Sequence, residues 1–279
     1  MDDRPIGMFD SGFGGLTVAR AVIDLLPAED LVYVGDTGRY PYGPRDRDEV
    51  AGFARQITAK LVADHDVKAV VVACNTASAA APLHRLSGEV GVAVVGVIQP
   101  GLRATLLATV TGRVGVIGTV GTISSGAYQR KADELAGIEL TCAACPGFVE
   151  FVERGETNSD QVYVLAERLL APIVAAKVDT LLLGCTHYPY LARTISDVVG
   201  RDVVLVSSAD ETAFEVAATL RHSGQLVTGG RPGRHRWISS GDVEKFRALG
   251  RRLLGPELDC VESWDPGDPA REDLGERDP

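Results

Sequence analysis

Short runs rich in Val, Ile and Leu alternate with longer segments of helical period through most of the chain, and this alternation limits the fold more than any single residue does. A strand covered by helices on both faces reads as a continuous apolar run, whereas a half-exposed antiparallel strand alternates apolar and polar. Strand candidates lie at 6–9, 31–34, 68–73, 92–97, 114–117, 138–143, 180–183 and 203–206, nearly all of them continuous apolar runs, with 138–143 (IELTCA) alternating. Between them the spacing predicts helices over 15–26, 47–65, 76–87, 100–109, 122–136, 159–177 and 188–199. A further helix is expected to open at Ser208, because Ser208 and Glu211 have the spacing of a capping box. The expected class is α/β, built from βα units on mostly parallel sheets.

Two segments make nearly the same statement. VVVACNTAS at 70–78 and LLLGCTHYP at 181–189 each end an apolar run with a small residue, then place a cysteine and polar side chains ahead of a helix. This pairing suggests two similar three-layer α/β domains whose sheets face one cleft. A change of domain fits Ile98-Gln99-Pro100-Gly101, with the chain crossing back near Ser207. The first domain is then discontinuous, 1–97 plus 208–255, and the second is 98–207. Residues 256–279 are rich in Asp, Glu and Pro, and are expected to form an acidic, solvated tail outside any core.

Composition removes several function classes. No stretch of about 18 apolar residues is present to span a bilayer, and MDDRPIGMFD lacks the layout of a signal peptide, so a cytoplasmic protein is expected. Five irregularly spaced cysteines do not make a disulfide framework. A net charge of −10 opposes direct nucleic-acid binding, which needs clustered Lys and Arg. Lysine occurs only at 60, 68, 131, 177 and 245, none of them in a polar strand-end cluster. A Schiff base to pyridoxal phosphate needs such a lysine, so chemistry without a cofactor is favoured.

Ligands of open α/β sheets bind beyond the carboxyl ends of the strands, where loops and helix N-termini converge. Five polar clusters fall there: Asp10-Ser11-Gly12-Phe13-Gly14-Gly15, Gly35-Asp36 with Pro41-Tyr42-Gly43, Cys74-Asn75-Thr76, Gly118-Thr119-Val120-Gly121-Thr122, and Cys185-Thr186-His187. The first is a near-match to a dinucleotide fingerprint with Thr17 in the sixth place, a weak signal. An amino-acid carboxylate resting on the glycine-loop amides fits the same physics. The Cys142-Ala-Ala-Cys145 pair has no second pair to complete a zinc site and no thioredoxin-like surroundings, and Cys260 reads as incidental.

A single cysteine at a strand end is usually a small buried apolar residue. Two in equivalent places suit a different purpose. On opposite walls of a cleft, one thiolate takes a proton from a carbon while the other thiol protonates the opposite face, inverting the centre. Each sulfur must then approach within about 3–3.5 Å of that carbon. His187, two residues from Cys185, is placed to favour a thiolate, unless it merely packs beside Tyr188. Asp10 or Asp36 is the candidate proton shuttle near Cys74, if neither is simply a surface carboxylate.

Six ordered motifs then carry a resemblance. DSGFGG (10–15), GDTGRYPYG (35–43), ACNTAS (73–78), GTVGTI (118–123), ACPGFVEFVERG (144–155) and GCTHYP (184–189) are similar, in order and spacing, to the glutamate racemase family, over about residues 5 to 254. The resemblance implies two α/β domains, cofactor-independent interconversion of L- and D-glutamate, D-glutamate supply for peptidoglycan, and a homodimer. It implies Cys74 and Cys185 as the acid/base pair, with Asp10, Ser11, Tyr42, Gly43, Asn75, Thr76, Thr186 and His187 as substrate contacts and Thr119 and Thr122 bordering the site. The family's glutamate in this region aligns with Glu153, while Glu150 stands where the family has proline. Aspartate or hydantoin racemases of the same superfamily usually carry glutamate at the His187 position. A cysteine hydrolase using Cys185 and His187 is a rival from another class, though such enzymes take their histidine from a distant segment. Some glutamate racemases have been linked to binding DNA gyrase; nothing in this sequence predicts that role.

Overall fold

The computed structural model describes residues 2–134 and 137–267. Its strands are β1 (Ile6–Asp10), β2 (Leu31–Gly35), β3 (Ala69–Val72), β4 (Ala93–Gly96), β5 (Arg113–Gly118), β6 (Glu139–Ala144), β7 (Thr180–Gly184), β8 (Val204–Ser207), β9 (His235–Ser239) and β10 (Val261–Ser263). They form two sheets, one ordered β10-β9-β2-β1-β3-β4 and one ordered β6-β5-β7-β8. Every pairing among the described residues is parallel.

The helices are α1 (Leu16–Leu25), α2 (Arg47–His65), α3 (Asn75–Ala80), α4 (Leu83–Val90), α5 (Ile98–Ala108), α6 (Val120–Ser124), α7 (Ala127–Ala132), α8 (Phe148–Arg154), α9 (Asp160–Ala175), α10 (Ala192–Val199), α11 (Ser208–His222) and α12 (Val243–Leu253). Side-chain caps start several of them: Asp46 accepts from the Asp48 amide and Ser159 from the Val162 amide. The first sheet has α1, α11 and α12 on one face, around Phe13, Leu16, Tyr33, Val216, Trp237 and Phe246. On its other face lie α2, α3 and α4, around Phe9, Phe53, Ile57 and Leu61. The second sheet is covered by α8, α9 and α10 on one side and by α5 with α7 on the other. Each sheet is thus the middle of a three-layer sandwich.

This winding decides where a ligand can sit. From β1 the chain leaves by α1 on one face and returns by α2 on the other, so the crossovers diverge between β1 and β3. In the second sheet α6 and α7 cover one face and α8 and α9 the other, so divergence falls between β5 and β7. Crevices open at the carboxyl ends of such strand pairs. Cys74 follows β3 and Cys185 follows β7, so each cysteine stands at a switch point.

Several expected elements need correction. The helix expected over 76–87 is two, α3 and α4, because Pro82 supplies no amide and caps the second one. The helix expected over 122–136 breaks at Gly126, whose φ of 69° lies in the left-handed region; its last two residues are outside the described ones. Residues 188–191 form a 3-10 turn containing Pro189, ahead of α10. The capping box at Ser208 does not form: Ser207 is the cap, accepting from the Ala209 amide, and Ser208 is already helical. The sequence reading also missed α8, β9, α12 and β10. The expected solvated tail begins too early, since Leu258 is buried in the first core and β10 pairs with β9; residues 268–279 lie outside the described ones.

Candidate active site

The two switch points face each other across one cleft of about 160 Å³, small enough to suit a single small molecule. Its walls include Asp10, Ser11, Tyr42, Gly43, Cys74, Asn75, Thr76, Thr119, Cys185, Thr186 and His187, which the sequence reading nominated. No Lys or Arg lines it among the described residues. A charged ligand must therefore be held by amides, hydroxyls, carboxylates and the imidazole of His187.

Cys74 is the N-cap of α3, and its sulfur accepts from the Ala77 amide at 3.5 Å. The thiol also lies 3.7 Å from the Ser11 hydroxyl, to which it donates. Burial, reinforced by the Asp10 carboxylate, pushes the Cys74 thiol up. This sulfur is therefore held as the protonated thiol at neutral pH. Cys185 Sγ lies 3.9 Å from His187 Nδ1, and Glu153 Oε1 lies 3.5 Å from His187 Nε2, an ion-pair separation without hydrogen-bond geometry. Burial disfavours the charged imidazole, but Cys185 and Glu153 outweigh it and raise His187 to about 10. His187 is thus an imidazolium at neutral pH.

Asp10 ends β1, and its Oδ2 accepts from the Gly15 amide at 2.9 Å and the Gly12 amide at 3.3 Å. Two of the glycine-loop amides are therefore taken by the chain's own carboxylate. Gly14 allows the loop to approach the other domain, because a Cβ there would crowd Thr186 Oγ1 and His187 Nδ1 well inside 3.0 Å. Asn75 is buried, and its Nδ2 lies 2.9 Å from the Tyr128 hydroxyl.

Three nominated residues stand behind the wall. Asp36 is fully buried and does not reach the cleft, because its carboxylate is engaged by Arg39 at 2.7 Å, by Ser240 at 2.6 Å and by the Tyr42 hydroxyl. Its place corrects the shuttle expectation: it positions Tyr42 and has no free oxygen to offer. Glu153 backs His187, whereas Glu150 lines the cleft. Thr122 lies under Thr119 and Thr76, in a hydroxyl triangle with separations of 2.9, 3.2 and 2.9 Å.

The sequence reading missed Tyr40, Val120, Cys145, Pro146 and Val149, all on the wall. All five sit inside motifs already singled out, but the sequence does not tell which residues of a motif face the ligand. Cys145, set aside with the C-x-x-C pair, is a buried cleft residue. Thr17 was likewise missed as a tie between domains: its hydroxyl lies 2.9 Å from Gly14 O and 3.2 Å from Thr186 O.

Comparison with known proteins agrees with this geometry. Residues 11–215 match the family model described as Asp/Glu/Hydantoin racemase. The glutamate racemase of Acidothermus cellulolyticus is 51% identical over 262 residues, covering 94% of this chain and 99% of that relative. The crystal structure of a glutamate racemase from Bacillus anthracis superposes with a TM-score of 0.87 at 39% identity, covering 95% of this chain and 97% of that one. That of Francisella tularensis, in complex with D-glutamate, gives a TM-score of 0.88 at 33% identity, covering 96% and 99%. Two thiols at facing switch points, on a chain matched at this level along almost its whole length, place the protein in the Asp/Glu/Hydantoin racemase family, in its glutamate racemase branch.

Proposed function

We propose that the protein interconverts L- and D-glutamate without a cofactor, using Cys74 and Cys185 as opposed acid and base. The observation that carries the reading is the placement of these two thiols, from two different sheets, on the wall of one small cleft. The thiolate on one side takes the α-proton, the electron pair passes to the substrate's α-carbon and carboxylate, and the thiol on the other side returns a proton to the opposite face. Atoms balance, and the roles of the two sulfurs are exchanged at the end of each turnover. His187, held charged by Glu153, supports negative charge on Cys185. Asp10, beside Cys74 on the cleft wall, is the group placed to reset that side.

Glutamate is favoured over aspartate or a hydantoin by the full-length likeness to glutamate racemases, one of them crystallised with D-glutamate. A cysteine hydrolase built on Cys185 and His187 would leave Cys74 without a purpose. The same reading makes the protein a cytoplasmic homodimer supplying D-glutamate for peptidoglycan, with a first domain of 1–97 plus 208 to at least 263 and a second of 98–207. Among the described residues, no helix is long and apolar enough to cross a membrane.

The test is proton NMR of L-glutamate in D2O with dialysed protein, followed by chiral analysis. Loss of the α-proton signal with appearance of D-glutamate is expected, and Cys74→Ser or Cys185→Ser should abolish turnover. No exchange from glutamate, or an active double Cys→Ser variant, refutes the reading.

A further inference from the structure

Asn75 and Tyr128 face each other across the two domains: Asn75 opens α3 under the first sheet, and Tyr128 lies on α7 against the second. Both are buried. With Asn75 Nδ2 facing the Tyr128 hydroxyl at 2.9 Å, the hydroxyl hydrogen finds no acceptor among the described residues, and Asn75 Oδ1 is left buried without a partner. Two orphaned groups at one contact are costly, and the two ends of an amide are distinguished only by their hydrogen-bond network. Half a turn of the amide lets the hydroxyl donate to Oδ1 and moves the NH2 to the buried position that Oδ1 held, where it meets no acceptor among the described residues and is left to donate to a ligand. Burial pushes the Tyr128 hydroxyl up, which keeps it a donor at any working pH.

We propose that Tyr128 is a positioning residue whose hydroxyl holds the Asn75 amide with its NH2 toward the cleft, as a donor to the substrate's α-carboxylate. Asn75 directly follows Cys74, whose sulfur must reach the α-carbon, so the nearest substrate oxygen is that of the carboxylate on the same carbon. Negative charge builds on those oxygens as the α-proton leaves. A neutral donor matters more here because no Lys or Arg lines the cleft among the described residues. Without Tyr128, the amide is free to present its carbonyl and repel the carboxylate.

This inference rests on the glutamate reading above. Wild type, Tyr128→Phe, Asn75→Ala and the double variant are compared for rates from both enantiomers and for D-glutamate binding by calorimetry, with melting curves recorded. Tyr128→Phe is expected to weaken binding and lower kcat/KM by about tenfold, as for loss of one hydrogen bond to a charged group. In the Asn75→Ala background the same change should cost less than about twofold, since an oriented amide is all that Tyr128 supplies. Unaltered binding and rates in Tyr128→Phe, or an equal loss in both backgrounds, would overturn the proposal. Wild type that binds D-glutamate without racemising it would refute the function reading while the binding arm still decides Tyr128. Wild type that binds no glutamate would overturn both.

Discussion

Gly14→Ala is the sharpest test of how the two domains are fitted together. A Cβ on residue 14 would come well inside 3.0 Å of both Thr186 Oγ1 and His187 Nδ1, and 2.7 Å from His187 Cε1. His187 cannot swing aside freely, because it is buried with Cys185 against one nitrogen and Glu153 near the other. The loop or the turn carrying His187 must therefore retreat. Overpacking of this kind costs about 1–3 kcal/mol. For a chain of this size that lowers the melting temperature by about 2–4 °C per kcal/mol. Activity should suffer more, because misplacement by about 1 Å at a reacting group costs on the order of a hundredfold. We expect kcat/KM to fall by about tenfold or more, measured by the coupled racemisation rate from D-glutamate alongside a circular-dichroism melt. Gly52→Ala is the control: it lies within α2 with nothing within 4 Å of its added carbon, and should be neutral or stabilising by up to about 1 kcal/mol. Wild-type kcat/KM and melting temperature in Gly14→Ala would refute the close-approach argument.

The charge on His187 and the place of Leu258 are open to direct measurement. His187 has its folded value raised to about 10 against an ordinary 6.5, so its proton is bound more tightly in the folded state. Its contribution to stability is complete below pH 6.5 and is lost as the pH rises through about 10. Ring NMR should find His187 still protonated at about pH 8, and Glu153→Gln should lower its titration point; a midpoint near the ordinary histidine value would sink this. Leu258 is fully buried, close enough to Gly250 that a Cβ there would lie 2.5 Å from its Cδ1. Leu258→Ala should cost about 2–5 kcal/mol in urea unfolding, whereas a residue of a solvated tail would cost nothing measurable.

Much of this was legible in the chain because its signals are local. An apolar run ending in a small residue and a cysteine says that a buried strand has ended and a polar contact begins, whatever else the chain does. The eight candidate runs all became strands: β1, β2, β3, β5 and β7 are buried almost throughout, which leaves few polar positions to obscure them, and the edge strands β4, β6 and β8 still carry enough Val, Leu and Ala to be read. β9 and β10 escaped because HRWIS and VES lie toward a sheet edge and carry exposed polar residues. Helix breaks at Pro82 and Gly126 were written in the sequence but outvoted by the longer apolar period around them.

Residue chemistry by itself named both thiols, His187 and the hydroxyl and amide groups around them. Only the tertiary structure decided what each carboxylate does. Asp10, Asp36, Glu150 and Glu153 are alike as letters, yet one occupies the glycine-loop amides, one is locked behind Tyr42, one lines the cleft and one holds an imidazolium. The assignment depends on partners that are distant in the chain, Ser240 for Asp36 and His187 for Glu153, and on which side chains the second sheet brings to the first. A sequence specifies the groups and the ends of the strands that carry them; the winding of two sheets about two switch points brings Cys74 and Cys185 to one cavity, because only there do crossovers to opposite faces leave the strand ends uncovered.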